Sequence, residues 1–273
     1  MFSYKIWLFV ASLATITYCN VIYDPELLPH ACAENKAVEG DYIPRGRVIN
    51  IGNLPVYEAP DNVNRRRMLI GVYDIFGFAN SNMKQITDHM ALQAGGFRAV
   101  LPDFFRGDNW DLNTPIDPVQ LAAWLQRVGD WNSIIRPDLI NIVQYYRSQG
   151  VEEFAIFGMC WGGQIGALSA IELSDYFKAS AIVHPSFVTN DQAPSVRIPM
   201  YLMPSRDEPD MLPFYQVLRI NFGDNSGHRR FDDMFHGFAA ARGNFSDPLN
   251  QMHVNEVIAT LGVFYERILY NSA

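Results

Sequence analysis

The stretch from Phe154 to Leu173 constrains this chain more than any other. Phe154-Ala155-Ile156-Phe157 is a short apolar run of the kind that fills a buried strand, and Gly158-Met159-Cys160-Trp161-Gly162-Gly163 follows it directly. Ile165, Leu168, Ala170 and Leu173 then recur at helical spacing. A strand, a sharp turn bounded by glycines and a helix form the context in which Gly-x-nucleophile-x-Gly becomes a nucleophile elbow. The tight turn lifts one side chain above the sheet edge, and a Cβ at Gly158 or Gly162 would crowd it. Here the raised group is the thiol of Cys160. The alternative reading is a small buried cysteine in a glycine-rich turn, so the rest of the chain has to decide.

Upstream and downstream, strand and helix patterns alternate. Arg47–Ile51 and Leu54–Tyr57 flank Gly52-Asn53, a hairpin signature. Met68–Tyr73 is a continuous apolar run suited to a strand covered on both faces. A helix is expected with Met83, Ile86 and Met90 inward and Gly95-Gly96 at its end, followed by a strand over Phe97–Leu101. Asp117-Pro118 is an N-cap and first-turn proline opening a helix with Leu121, Leu125 and Val128 inward. Pro137 opens another, with Leu139, Ile142, Val143 and Tyr146 on one face. Further strands are expected at Ala179–Val183, Met200–Met203 and around His228–Phe231, with a helix near Asp210–Asn221. A long helix runs from Asp247-Pro248 to about Leu269. This order predicts one α/β domain over residues 47–273, a mainly parallel sheet with helices on both faces. At 273 residues with 49% hydrophobic and 18% charged content, the chain is long and apolar enough to bury such a core. Its net charge of −8 argues against nucleic acid or an anionic membrane as partner.

Two more positions fall where an α/β-hydrolase fold needs them. That fold carries its triad in the order nucleophile, acid, histidine, each beyond a strand end. Asp207 follows Tyr201-Leu202-Met203 and the loop Pro204-Ser205-Arg206, and His236 lies in Phe235-His236-Gly237-Phe238 before the last helix. Cys160, Asp207 and His236 are therefore the expected nucleophile, acid and base. The histidine takes the thiol proton, and the carboxylate fixes its tautomer and stabilises the imidazolium. Each residue also has an ordinary reading, as a solvated loop charge next to Glu208 or as a structural histidine between aromatics.

Taken together, Tyr73-Asp74-Ile75-Phe76-Gly77, Pro102-Asp103-Phe104-Phe105, Gly158-Met159-Cys160-Trp161-Gly162-Gly163, Ser205-Arg206-Asp207-Glu208 and His236-Gly237-Phe238 resemble the dienelactone hydrolases (carboxymethylenebutenolidases). The closest likeness is to the eukaryotic branch ending in His-Gly-Phe-Ala-Ala-Arg, and it covers about residues 45–270. It implies an α/β-hydrolase fold, a Cys-Asp-His triad and cleavage of ester or lactone carbonyls without a cofactor; the sequence itself carries no metal motif of the Cys-x-x-Cys or His-Glu-x-x-His kind. It also implies an oxyanion hole from the backbone amides of Ile75 and Trp161. Asp74 stands where bacterial members carry a glutamate against the resting thiol, which implies a thiol-gating role. Arg106 and Arg242 lie nearest in sequence to the two arginines that hold the substrate carboxylate in bacterial members. Both also have an ordinary reading as surface or loop residues. The rival from another class is a secreted, catalytically silent fold-mate that binds a ligand or partner, and an intact trio argues against it.

The N-terminus reads as a targeting signal. Lys5 precedes an apolar run from Ile6 to Ile16, too short for a bilayer, and Thr17-Tyr18-Cys19 offers small residues for cleavage after Cys19. The expected organisation is a signal peptide at 1–19, an extended arm at 20–46, and secretion of the mature chain. Cleavage leaves Cys32 and Cys160. A disulfide between them would consume the elbow thiol, so Cys32 is expected free or paired with another molecule. Asn244-Phe245-Ser246 is a glycosylation sequon in a secreted chain.

Overall fold

Among the described residues, eight strands form one sheet in the spatial order Arg47–Ile51, Leu54–Glu58, Arg98–Pro102, Arg67–Val72, Glu153–Met159, Ala179–Val183, Met200–Met203 and Gly227–His228, labelled β1 to β8 in chain order. The computed structural model describes residues 23–27, 38, 42–60, 66–93, 96–111 and 114–270. The expected signal peptide, Cys19, Cys32 and most of the expected 20–46 arm lie outside them. The hairpin β1 (Arg47–Ile51) and β2 (Leu54–Glu58) turns at Gly52, whose φ of 60° is left-handed. It is antiparallel, and β2 also meets β4 (Arg98–Pro102) antiparallel. From β4 onward every pairing is parallel: β3 (Arg67–Val72), β5 (Glu153–Met159), β6 (Ala179–Val183), β7 (Met200–Met203) and β8 (Gly227–His228). The strands at the centre are almost wholly buried and mostly apolar because helices cover both faces, leaving little side for water.

The helices form where their caps and spacing require. Helix α1 (Ser81–Ala91) starts on the Asn80 side chain, which accepts from the Asn82 amide, and buries Met83, Ile86 and Met90. Helix α2 (Pro118–Val128) starts on Asp117, whose carboxylate accepts from the Gln120 amide at 2.8 Å. Helix α3 (Arg136–Arg147) opens one residue ahead of Pro137. A wider turn over Trp131–Ile135 feeds into it, with the Ile135 amide reaching back to the Asp130 carbonyl at 3.0 Å. Helix α4 (Trp161–Glu172) is buried almost all round against β5 and β6. Helices α5 (Leu212–Phe222) and α6 (Pro248–Tyr270) complete the cover. No helix among the described residues is long and apolar enough to cross a membrane.

The last strand is shorter than the sequence predicts. Only Gly227 and His228 pair regularly with β7, and Phe231 makes a separate bridge to Ser205. Between them the ladder bends: the Arg229 amide still bonds the Leu202 carbonyl, and the Phe231 amide the Pro204 carbonyl. That bend ties the loop after β7 to the loop after β8, and both loops belong to the site.

Candidate active site

In a parallel sheet the carboxyl ends of the strands open on one edge, and the loops leaving them converge there. Four strand ends and one later loop meet at this edge: Asp74 and Ile75 after β3, Cys160 after β5, Ser186 after β6, Glu208 after β7, and His236 beyond β8.

Cys160 has φ 55° and ψ −115°, the strained left-handed turn an elbow demands. The flanking glycines are sterically required. A Cβ on Gly158 would lie 1.8 Å from the Gly162 carbonyl oxygen, and one on Gly162 would lie 2.3 Å from the Val72 oxygen. The Cys160 amide donates to Val183 at 3.1 Å, tying the turn to β6. Trp161 is the first residue of α4, so its amide has no carbonyl four residues back inside the helix. Ile75 sits in the turn after β3, where the next two amides, Phe76 and Gly77, donate to the Asp74 carboxylate at 3.0 Å and its carbonyl at 3.1 Å.

His236 is buried, and its Nδ1 lies 2.6 Å from Glu208 Oε1. The sequence reading put Asp207 in that place. In the structure, Asp207 instead accepts from the backbone amide of His236, at 2.7 Å through Oδ2, and keeps its side chain partly exposed toward Arg206. The loop register decides this. The Arg206 amide bonds the Met234 carbonyl at 3.0 Å, which brings the next side chain, Asp207, to the histidine's own backbone amide and the one after, Glu208, to the ring. Burial pushes the Glu208 carboxyl up. The hydrogen bond and charge of His236, the nearby His184 and the Ser205 amide outweigh it and hold the carboxyl below its usual range. An ionised Glu208 makes Nδ1 the protonated nitrogen of a neutral His236 and leaves Nε2 as acceptor.

Ser186, which the sequence reading did not single out, occupies the space between thiol and imidazole. Its Oγ lies 3.5 Å from Cys160 Sγ and 3.5 Å from His236 Nε2. The only hint in the sequence was its place just past the end of β6, next to the elbow strand. His184, two residues earlier, packs edge-on to His236 with ring centroids 5.2 Å apart. Burial, reinforced by the His236 charge, pushes its pKa down to about 4, so it stays neutral.

A small cleft of about 200 Å³ is lined by Asp74, Ile75, Phe76, Cys160, His236, Gly237 and Arg242. Asp74 is buried, and its second oxygen accepts from the Ala241 amide at 2.9 Å. Burial and the Cys160 charge push its pKa up to about 6, against the pull of those amides and Arg242. It therefore combines main-chain acceptance with proximity to the thiol. Arg242 is buried in the same cleft with its guanidinium 5.6 Å from the Phe76 ring centre. Arg106 does not reach it: its guanidinium bonds the Phe104 carbonyl at 3.1 Å and Asp138 at 3.0 Å. A roomier groove lined by Arg45, Arg47, Glu58 and Arg98 lies at the β1-β2-β4 side of the sheet and holds no nucleophile.

Fold and elbow together define an α/β-hydrolase with a thiol at the turn. A profile of the dienelactone hydrolase family matches residues 55–254, and the chain belongs to that family. Membership places it among enzymes that hydrolyse ester and lactone bonds. An uncharacterized AIM2 family protein of Schizosaccharomyces pombe is 28% identical, covering 88% of this chain and 96% of its own. Dienlactone hydrolase 1 of Gibberella moniliformis is 30% identical over 68% of this chain and 74% of its own. Among solved structures, an esterase of Pyrococcus furiosus superposes with a TM-score of 0.59, at 13% identity over 86% of this chain and 97% of its own, a likeness of fold.

Proposed function

We propose that the protein hydrolyses its ester or lactone in two steps through a thioester on Cys160. The observation that carries this is the Cys160 thiol on a left-handed elbow, joined through Ser186 to an imidazole whose far nitrogen meets a buried carboxylate. In this reading the Cys160 thiolate attacks the carbonyl carbon and the proton goes to His236. The oxyanion is held by the Ile75 and Trp161 amides, and the alcohol or ring oxygen leaves with the proton from His236. His236 then takes a proton from water, the hydroxide attacks the thioester, and the acid departs as the thiol re-forms. The acid that orients His236 is Glu208. Arg242 offers a cation beside the thiol for a substrate carboxylate, as the family resemblance suggested.

Asp74 acts in this scheme as a gate. An anion near the sulfur disfavours thiolate, so the resting enzyme holds a neutral thiol until substrate arrives. The N-terminal segment Lys5, Ile6–Ile16 and Thr17-Tyr18-Cys19 supports secretion of a chain beginning near Asn20.

The test is hydrolysis of p-nitrophenyl acetate and a small lactone panel with and without iodoacetamide, followed by mass spectrometry. Inactivation that tracks the adduct on Cys160 rather than any adduct on Cys32, and no activity in folded Cys160→Ala, is expected. Full activity in Cys160→Ala refutes the thiol mechanism.

A further inference from the structure

We propose that Ser186 is a proton relay between the thiol and the imidazole, an inference that rests on the Cys160–His236 mechanism above. Its hydroxyl is fully buried and equidistant from the two reacting atoms, 3.5 Å from Cys160 Sγ and 3.5 Å from His236 Nε2. A hydroxyl is one donor and two acceptor lone pairs on a single rotor, so it can accept from S–H while donating to Nε2. During acylation the S–H bond breaks as its proton passes to Ser186 Oγ, and the proton already on Oγ passes to Nε2. The products are a thiolate and an imidazolium, with the serine neutral as before. Glu208 on Nδ1 fixes the tautomer that leaves Nε2 able to receive. The hydroxyl, now carrying the proton that came from sulfur, donates to the thiolate, and a hydrogen bond to the charged form lowers a thiol's pKa.

The backbone shows that this placement is imposed. Ser186 lies between His184, φ 37°, and Phe187, φ 64°. Together with Cys160 they are three of the four non-glycine residues with positive φ among those described, and such strain persists only where the surroundings enforce it. The enforcement is visible: the Ser186 amide donates to the Cys160 carbonyl at 2.9 Å and the His184 amide to Met203 at 2.9 Å. Both bonds are main-chain, so Ser186→Ala keeps them and removes only the hydroxyl.

The experiment follows the pH dependence of iodoacetamide alkylation and of p-nitrophenyl acetate turnover in the wild type, Ser186→Ala and Ser186→Thr. In Ser186→Ala the alkylation inflection should move up by about one pH unit, since the thiolate loses a donor. Turnover should fall ~100-fold, the size of a lost proton-transfer aid. Ser186→Thr, which restores the hydroxyl, should recover most of both. An alkylation profile in Ser186→Ala that superimposes on the wild type overturns the relay, and so does folded Ser186→Thr no better than Ser186→Ala. Acylation by the wild-type protein in mixtures of H2O and D2O gives a second reading that needs no variant: two protons in flight give a curved dependence on deuterium content, and a straight line overturns the proposal. Wild-type protein that iodoacetamide leaves active would remove the cysteine mechanism itself, a failure distinct from any of these.

Discussion

Replacing Glu208 by glutamine tests which carboxylate serves the histidine. Both carboxylate oxygens of Glu208 are engaged in a buried place: Oε1 accepts from His236 Nδ1 at 2.6 Å, and Oε2 accepts from the Ser205 amide. A carboxamide has a single oxygen. If that oxygen stays on the Ser205 amide, the NH2 faces Nδ1, which must then accept. The ring proton moves to Nε2, the nitrogen that receives the thiol proton in the proposed mechanism. Amidating a triad acid in this way lowers kcat by about 10⁴, or ~5 kcal/mol. If the oxygen turns to Nδ1 instead, two donors meet at Ser205 in the interior, costing about 1–3 kcal/mol of stability. Asp207→Asn is the matched control. Asp207 receives the His236 backbone amide at 2.7 Å, and an asparagine oxygen can still accept that bond. Steady-state kinetics on p-nitrophenyl acetate, with urea unfolding to confirm the fold, should show a loss of about 10²–10⁴ in kcat for Glu208→Gln and less than about tenfold for Asp207→Asn. The reverse order of effects would refute the argument from loop register.

Asp74→Ala should lower the apparent thiol pKa and speed alkylation at neutral pH while impairing turnover, because it removes an anion beside the sulfur; an unchanged or raised pKa would leave Asp74 with only its main-chain role at Phe76 and Ala241. His184 is pushed down to about 4 when folded, from 6.5, so the unfolded chain binds the extra proton first. Its share of stability is present above about pH 6.5 and is lost as pH falls toward 4, by ~3 kcal/mol in all. Urea titrations across that range should show a shallower loss in His184→Phe, and an identical slope would rule the histidine out as the cause. Gly162→Ala forces a Cβ to within 2.3 Å of the Val72 oxygen and 2.8 Å of the Tyr73 oxygen, both main-chain. It should cost about 1–3 kcal/mol, read as a lower Tm, and a thermally unaltered variant would contradict the steric argument.

The alternation of strands and helices, and the elbow with Cys160 at its turn, were legible in the sequence. Those features are local. A strand buried on both faces is apolar at every position, a surface helix repeats at 3.6 residues, and Gly158 and Gly162 are needed wherever a chain makes that turn. The Asp117 cap of α2 and the burial of Met83, Ile86 and Met90 in α1 appeared where the pattern put them. His236 could also be placed, because strand order limits which histidine reaches the open edge. The tertiary structure alone decided the rest. Asp207 and Glu208 are adjacent carboxylates, and which of them faces the ring depends on how the loop after β7 is pinned to the loop after β8 by main-chain bonds such as Arg206 to Met234. Ser186 carries no motif of its own and is held beside the thiol by the bond from its amide to the Cys160 carbonyl. Arg106 and Arg242 looked alike as candidate cations, yet Asp138 draws one away while the other is buried in the cleft. In each case the deciding contact joins segments far apart in the chain, and periodicity along the sequence carries no record of such a contact.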